Sequence, residues 1–82
     1  MQKEDSEKTI YLDVSELEAP EPLIRAIRAL EAMQRDEVLI FKHRMNPRHL
    51  FNEIAARGYT YEIIKDEPNE FIMKVSRDVP RT

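Results

Sequence analysis

The sequence predicts an α/β (α+β) fold: a two-layer sandwich with the element order β-α-β-α-β-β. Segments with period-two or continuous apolar patterns alternate with two segments of helical apolar spacing, and a turn signal separates the last two strands. Right-handed crossovers then place both helices on one face of a four-stranded mixed sheet. With 82 residues, 41% of them hydrophobic, the chain is long enough for one domain.

The first strand and the first helix are predicted from the N-terminal part of the chain. Apolar and polar residues alternate over Ile10–Val14, which is the pattern of a half-buried strand. The loop that follows contains Pro20 and Pro22, and prolines suit the first turn of a helix. Apolar residues at helical spacing continue to about Gln34, with charged residues on the opposite face.

The second strand and the second helix follow directly. The continuous apolar run Val38–Phe41 predicts a central strand, because charged residues bound it on both sides. Asn46 is expected to be the N-cap of the second helix, with Pro47 at its first position. Its apolar stripe consists of Leu50, Phe51, Ile54 and Ala55. Gly58, the only glycine, is expected to end this helix with a positive φ.

Alternating patterns at 59–64 and 71–76 predict the third and fourth strands, which pair as a hairpin through a turn at 66–69. The domain is predicted to span residues 9–76. The charged residues 1–8 are expected to form a disordered N-terminal tail, and residues 77–82 a C-terminal tail.

Alternation also assigns the strand residues to two faces of the sheet. The residues expected to face the helices are Ile10, Leu12, Val14, Tyr61, Ile63, Phe71, Met73 and Val75. The residues expected on the open face are Tyr11, Thr60, Ile64 and Ile72, joined either by Leu39 and Phe41 or by Val38 and Ile40. Because a large exposed apolar face is usually covered, another protein or a second copy of the chain is expected there. The alternative is a mildly apolar face that stays in water.

The composition excludes several classes of function. The chain has no cysteine, so it forms no disulfide and offers no thiolate for catalysis or for binding zinc. Its 13 basic and 16 acidic residues give a net charge of −3, which disfavours nucleic acid and anionic membranes as partners. No apolar run is long enough to span a bilayer and no signal peptide is evident, so we expect a cytoplasmic protein.

The segment Leu12–Leu23, LDVSELEAPEPL, resembles the opening of the TusA-like (SirA-like) sulfur-carrier family, which has a strand, a Cys-Pro-x-Pro motif and a helix. Ala19 stands where those proteins carry the persulfide-bearing cysteine. The segments His43–Leu50 and Arg57–Tyr59 are more similar to a related, uncharacterised family of the same fold that lacks the cysteine. The resemblance implies a TusA-like fold and an accessory role in sulfur or redox metabolism, without persulfide chemistry.

A basic cluster consists of Lys42, His43, Arg44, Arg48 and His49, and the candidate ligand-binding residues within it are His43, Arg44, Arg48 and His49. If the first two strands are parallel, their carboxyl ends and both helix starts open on one edge of the sheet, where α/β folds bind ligands. The cluster is then expected beside the loop that carries the family motif, which consists of Ala19, Pro20, Glu21 and Pro22. Helix N-terminal amides, arginines and histidines suit a small anion such as phosphate, sulfate or a carboxylate.

Each feature has a simpler explanation as well. Arg44 and Arg48 could pair with Glu18 and Glu21 as exposed charges, and the proline loop could serve only as a rigid start of the helix. Because both arginines lie outside the apolar stripes, neither is expected to contribute much to stability.

The favoured function is a non-enzymatic interaction or ligand-binding module without a cofactor. His43 and His49 have no third metal ligand nearby and no Ser or Cys partner at a signature spacing, so neither a metal site nor hydrolase chemistry is indicated. Two alternatives stay open from the sequence. One is a nucleic-acid-binding module, since similar two-layer folds occur in translation and chromatin proteins. The other is a metal- or oxyanion-binding subunit of an enzyme.

Overall fold

The computed structural model describes residues 8–77, and these residues form the predicted order of elements. The elements are β1 (Lys8–Asp13), α1 (Glu21–Ala32), β2 (Glu37–His43), α2 (Arg48–Ala56), β3 (Tyr59–Glu67) and β4 (Glu70–Arg77). The predicted tails lie outside the described residues, except for Lys8 and Arg77, each of which is the outermost residue of a strand.

The four strands form one mixed sheet, as predicted, and their order in the sheet is β1-β2-β4-β3. β1 and β2 are parallel, and β4 pairs antiparallel with both β2 and β3. The parallel pair is connected by α1, because a parallel connection has to cross back over the sheet. β1 and β3 are therefore the two edge strands.

One hydrophobic core joins both helices to a single face of the sheet. Its largest fully buried side chains include Phe41 and Phe71 from the central strands, Leu30 from α1, and Leu50 and Ile54 from α2. Fully burying a side chain of this size contributes roughly 1.5–3 kcal/mol. These contacts hold the two helices side by side.

The central strand β2 turns Leu39 and Phe41 toward the helices, and Val38 and Ile40 therefore belong to the open face. This settles the choice that the continuous apolar run of β2 left open. His43 follows the same alternation and lies on the helix side, where it is buried.

Two residues predicted to face the core, Tyr61 and Ile63, are instead 43% and 44% exposed. They lie on the helix side of β3, but β3 is an edge strand and α2 covers it only partly. Phe51 of α2 stacks on the Tyr61 ring with 4.6 Å between the ring centroids. Beyond that contact a register shift between Ile63 and Lys65 interrupts the pairing with β4, and Ile64 is exposed, as expected.

Several predicted element boundaries are wrong by one or two residues: β1 covers Lys8–Asp13 where 10–14 was expected, and α1 ends at Ala32 rather than near Gln34. α2 begins at Arg48, so Pro47 occupies the N-cap position, and the side chain of Asn46 instead donates a hydrogen bond to Asp66. The hairpin turn is shorter than predicted, because the strands continue to Glu67 and resume at Glu70.

Two other details concern α2. Gly58 has a φ of 81° and ends the helix as predicted. Ala55, which was expected in the apolar stripe of α2, is exposed.

A clamp connects the end of α1 to the far end of the sheet. The hydroxyl group of the buried Tyr59 donates a hydrogen bond of 2.7 Å to the carbonyl of Leu30, and Arg77 donates to the same hydroxyl at 3.2 Å. Arg77 also donates to the carbonyl of Met33 at 3.3 Å, and its guanidinium lies 5.2 Å from the centre of the Tyr59 ring. The clamp leaves the opposite end of the sheet, where both helices begin, as the open end of the domain.

Candidate functional site

A pocket of about 560 Å³ lies where the carboxyl ends of β1 and β2 meet the first turns of α1 and α2. All four candidate ligand-binding residues line it: His43, Arg44, Arg48 and His49. Lys42, the other member of the predicted basic cluster, lies on the open face of the sheet instead. Of the motif loop, Ala19, Pro20 and Pro22 line it as well. The parallel pairing of β1 and β2 explains this arrangement, since it puts both helix starts on one edge.

Glu21, the remaining residue of the motif loop, is not part of the pocket wall. It lies in the first turn of α1, and its carboxylate is 3.6 Å from Arg25, one turn further along the helix. Among the described residues Glu21 therefore pairs within its own helix, and not with Arg44 or Arg48 as the alternative explanation offered.

Arg44 binds the loop between β1 and α1. Its guanidinium donates hydrogen bonds to the carbonyls of Ser15 at 2.6 Å and Leu17 at 3.3 Å. It also lies 3.3 Å from the carboxylate of Glu18, which is the ion pair that the sequence offered as an alternative. Arg44 therefore acts as a latch that holds the loop against the end of β2.

Arg48 and His49 form the first turn of α2 and are both exposed. Within residues 8–77, Arg48 makes no ion pair, whereas Arg44 is occupied by Glu18. Arg48 is thus the cation of the cluster whose charge is available to a ligand in the pocket.

His43 is the buried member of the cluster, with only 6% of its surface exposed. Burial lowers the pKa of its imidazole below the usual 6.5, and the positive charge of Arg44 lowers this pKa further, while Asp13 opposes the shift. Its Nδ1 has no hydrogen-bond partner within the described residues. A buried polar atom without a partner is costly and uncommon, and it often marks a place for a ligand or a water molecule.

Neither helix has a side-chain cap at the end that borders the pocket. In the first turns, the amides of Ile24 and Leu50 donate to backbone carbonyls. Among the described residues, the amides of Leu23 and His49 have no backbone acceptor, and both residues line the pocket. Two helix N-termini with free amides and partial positive charge therefore converge on one cavity.

The remaining wall of the pocket is apolar and was not predicted from the sequence. The residues that contribute to it are Leu17, Leu23, Phe41, Met45 and Leu50. Leu50 was expected only in the apolar stripe of α2, and the face occupied by Phe41 was left open. Leu17 and Met45 lie in irregular segments whose position depends on the loops, so no periodicity in the sequence could place them.

Two further features bear on what the pocket can do chemically. Within residues 8–77, no three His, Asp or Glu side chains are arranged to hold a metal ion. The pocket wall contains no hydroxyl, thiol or amine side chain that could act as a nucleophile.

Outside the pocket, the open face of the sheet carries Tyr11, which is largely exposed, and the half-buried Ile40 and Ile72. Lys42 and Lys74 lie on the same face, which is therefore mixed in character. No helix among the described residues is long and apolar enough to cross a membrane.

Comparison with known proteins identifies one related family. Residues 11–77 match the family described as "Uncharacterized conserved protein (DUF2249)". No curated protein and no solved structure matches the chain significantly. The family match covers the whole pocket and all of the fold except the first three residues of β1.

Proposed function

We propose that this chain, which belongs to the DUF2249 family, is a non-enzymatic module that binds a small anionic ligand in the pocket between its two helix starts. The observation that carries the proposal is the convergence of two uncapped helix N-termini on a cavity that also contains an unpaired, buried histidine. An anion would accept hydrogen bonds from the free amides of Leu23 and His49 and would face the charge of Arg48.

The absence of a hydroxyl, thiol or amine side chain from the pocket wall supports a role in binding without catalysis. The two histidines of the wall could exchange protons, but no hydroxyl or thiol lies there for them to activate. Nucleic acid is a poorer candidate for the ligand, because the net charge of −3 repels a polyanion.

The proposal includes a distant relation to the TusA-like sulfur carriers. The element order and the proline loop before α1 support that relation, and Ala19, at the position of the carrier cysteine, lines the pocket. On this view the site at the helix start is retained for a ligand that binds without a covalent bond, in an accessory role in sulfur or redox metabolism. A cytoplasmic location and contact with a protein or a second copy through the open sheet face belong to the same proposal.

The test is a titration of the ¹⁵N-labelled protein with sulfate, phosphate, acetate and hexanoate, each against sodium chloride of equal ionic strength. We expect at least one of these anions to shift the amide resonances of Leu23 and His49 together, because both amides face the same ligand. Arg48→Ala should weaken that response by several fold. Arg28→Ala, which removes an exposed arginine of α1 outside the pocket, is the matched control and should leave it unchanged.

If none of the four anions moves these two resonances at millimolar concentration, the pocket is not an anion site. Equal losses in Arg48→Ala and Arg28→Ala would also overturn the proposal, because they would indicate attraction to the surface as a whole rather than to the pocket.

A further inference from the structure

The size of the pocket limits the kind of anion that it can hold. Its volume of about 560 Å³ lies within the range of roughly 300–1,000 Å³ that is typical of sites for organic molecules. An inorganic phosphate or sulfate ion would contact only the helix starts and would leave most of the cavity to water. A ligand that fits has to fill the apolar part of the cavity as well.

The apolar part of the cavity is formed by side chains from five segments of the chain. Leu17 comes from the loop after β1, Leu23 from α1, Phe41 from β2, and Leu50 from α2, while Met45 lies between β2 and α2. Phe41 and Leu50 are buried and are fixed by the core, and Met45 is 53% exposed. An apolar group placed here would be removed from water on several sides.

The charges around the cavity favour a ligand with one negative charge. Arg48 is the available cation, and the two helix N-termini add partial positive charge. Glu18 also lines the pocket, but its carboxylate lies 3.3 Å from Arg44, so the two charges of this pair largely cancel. The single charge of Arg48 therefore balances a carboxylate better than a dianionic phosphate.

Building on the proposed anion site, we infer that its ligand is a small organic carboxylic acid with an apolar body. The carboxylate accepts hydrogen bonds from the free amides of Leu23 and His49, and the apolar body lies against Leu17, Met45 and Leu50. His43, whose imidazole is buried in the same wall, supplies a polar contact within the cavity.

The experiment compares four probes that separate the acid group from the apolar body: sulfate, acetate, hexanoate and hexanol. Each burial of a methylene group strengthens binding about fourfold, since it contributes about 0.8 kcal/mol. Hexanoate has four more methylenes than acetate, so even partial burial predicts binding at least roughly tenfold tighter than that of acetate or sulfate. Hexanoate should shift the amides of Leu23 and His49 and the methyl groups of Leu17 and Leu50. Hexanol should shift the methyl resonances at higher concentration than hexanoate does, and it should leave the two amide resonances unshifted.

A pair of variants tests whether the apolar wall is responsible for the gain. Met45→Gln should reduce the advantage of hexanoate over acetate by several fold, because it replaces an apolar contact in the wall. Ile64→Gln is the matched control, since Ile64 is 55% exposed on the edge strand β3, away from the pocket. Both changes affect exposed side chains, so both variants are expected to fold.

The outcomes separate this inference from the proposed function. Sulfate or acetate binding as tightly as hexanoate would overturn the inference and leave the anion site standing. Hexanol binding as tightly as hexanoate would show an apolar cavity without a contribution from the carboxylate, and it would also overturn the inference. Unchanged selectivity in Met45→Gln would show that the ligand does not use this wall.

Discussion

Replacing Arg44 with alanine is expected to destabilise the domain much more than replacing Arg48 with alanine. The two arginines are four residues apart, and from the sequence alone both were expected to contribute little to stability. The structure separates them, because Arg44 donates to the carbonyls of Ser15 and Leu17, whereas Arg48 is exposed at the start of α2.

The magnitude follows from the partners that Arg44 would leave behind. A hydrogen bond from a charged donor contributes roughly 1.5–3 kcal/mol, and the bond to Ser15, at 2.6 Å, is the shorter of the two. The bond to Leu17 is longer, at 3.3 Å, and water can replace part of it. The ion pair with the exposed Glu18 adds little. We therefore expect Arg44→Ala to lower the free energy of unfolding by about 2 kcal/mol.

Arg48→Ala is expected to change stability by less than about 0.5 kcal/mol, as is usual for exposed positions. The variant should be as stable as the parent or slightly more stable, since the change removes a positive charge from the positive end of a helix dipole. Urea denaturation followed by circular dichroism measures both variants. On heating, a loss of about 2 kcal/mol lowers the melting temperature of a domain of this size by roughly 8–16 °C. If Arg44→Ala is as stable as Arg48→Ala, Arg44 does not act as a latch.

Two further predictions concern buried groups. Because burial lowers the pKa of His43 in the folded state, the unfolded chain takes up a proton at higher pH than the folded one. The free energy of unfolding should therefore fall as the pH is lowered from 7 to 5. His43→Gln should reduce this dependence on pH, whereas His49→Gln, at an exposed position, should not. An equal dependence on pH in both variants would show that the buried His43 is not its source. Tyr59→Phe should cost about 1 kcal/mol in urea denaturation, because it removes the hydroxyl that donates to Leu30. Tyr61→Phe, which keeps its stacked ring and changes a more exposed hydroxyl, is the control and should be nearly neutral.

The layers and the order of elements were predictable because they depend on local periodicity. Alternation in β4 identified Phe71, Met73 and Val75 as core residues, and all three are fully buried. The same reasoning failed for Tyr61 and Ile63 in β3, since their exposure depends on the strand order. Alternation shows which face a side chain occupies, but only the tertiary arrangement shows whether a helix reaches far enough to cover it.

The position of the pocket was predictable, but the contacts of the residues around it were only partly so. Parallel pairing of β1 and β2 was sufficient to bring both helix starts together. The pair between Glu21 and Arg25 could have been found from their i, i+4 spacing. The burial of His43 could also have been found, because it follows Phe41 at the period-two spacing of β2 and shares its face. The latch by Arg44 could not, since its acceptors are backbone carbonyls of an irregular loop.

The latch bears on how the pocket would achieve affinity. Leu17 belongs both to the loop that Arg44 holds and to the apolar wall, so the latch fixes that part of the wall relative to β2. Ordering a side chain during binding costs about 0.5–1.5 kcal/mol, and a loop that is already held avoids part of this cost. In the proposed site Arg44 would support binding through the position of the wall, while its own charge is paired with Glu18 and its guanidinium donates to two carbonyls. Arg48 would support binding through its charge, which salt screens because the side chain is exposed. Two arginines that look equivalent in the sequence would therefore have separate roles in the proposed site, one structural and the other electrostatic.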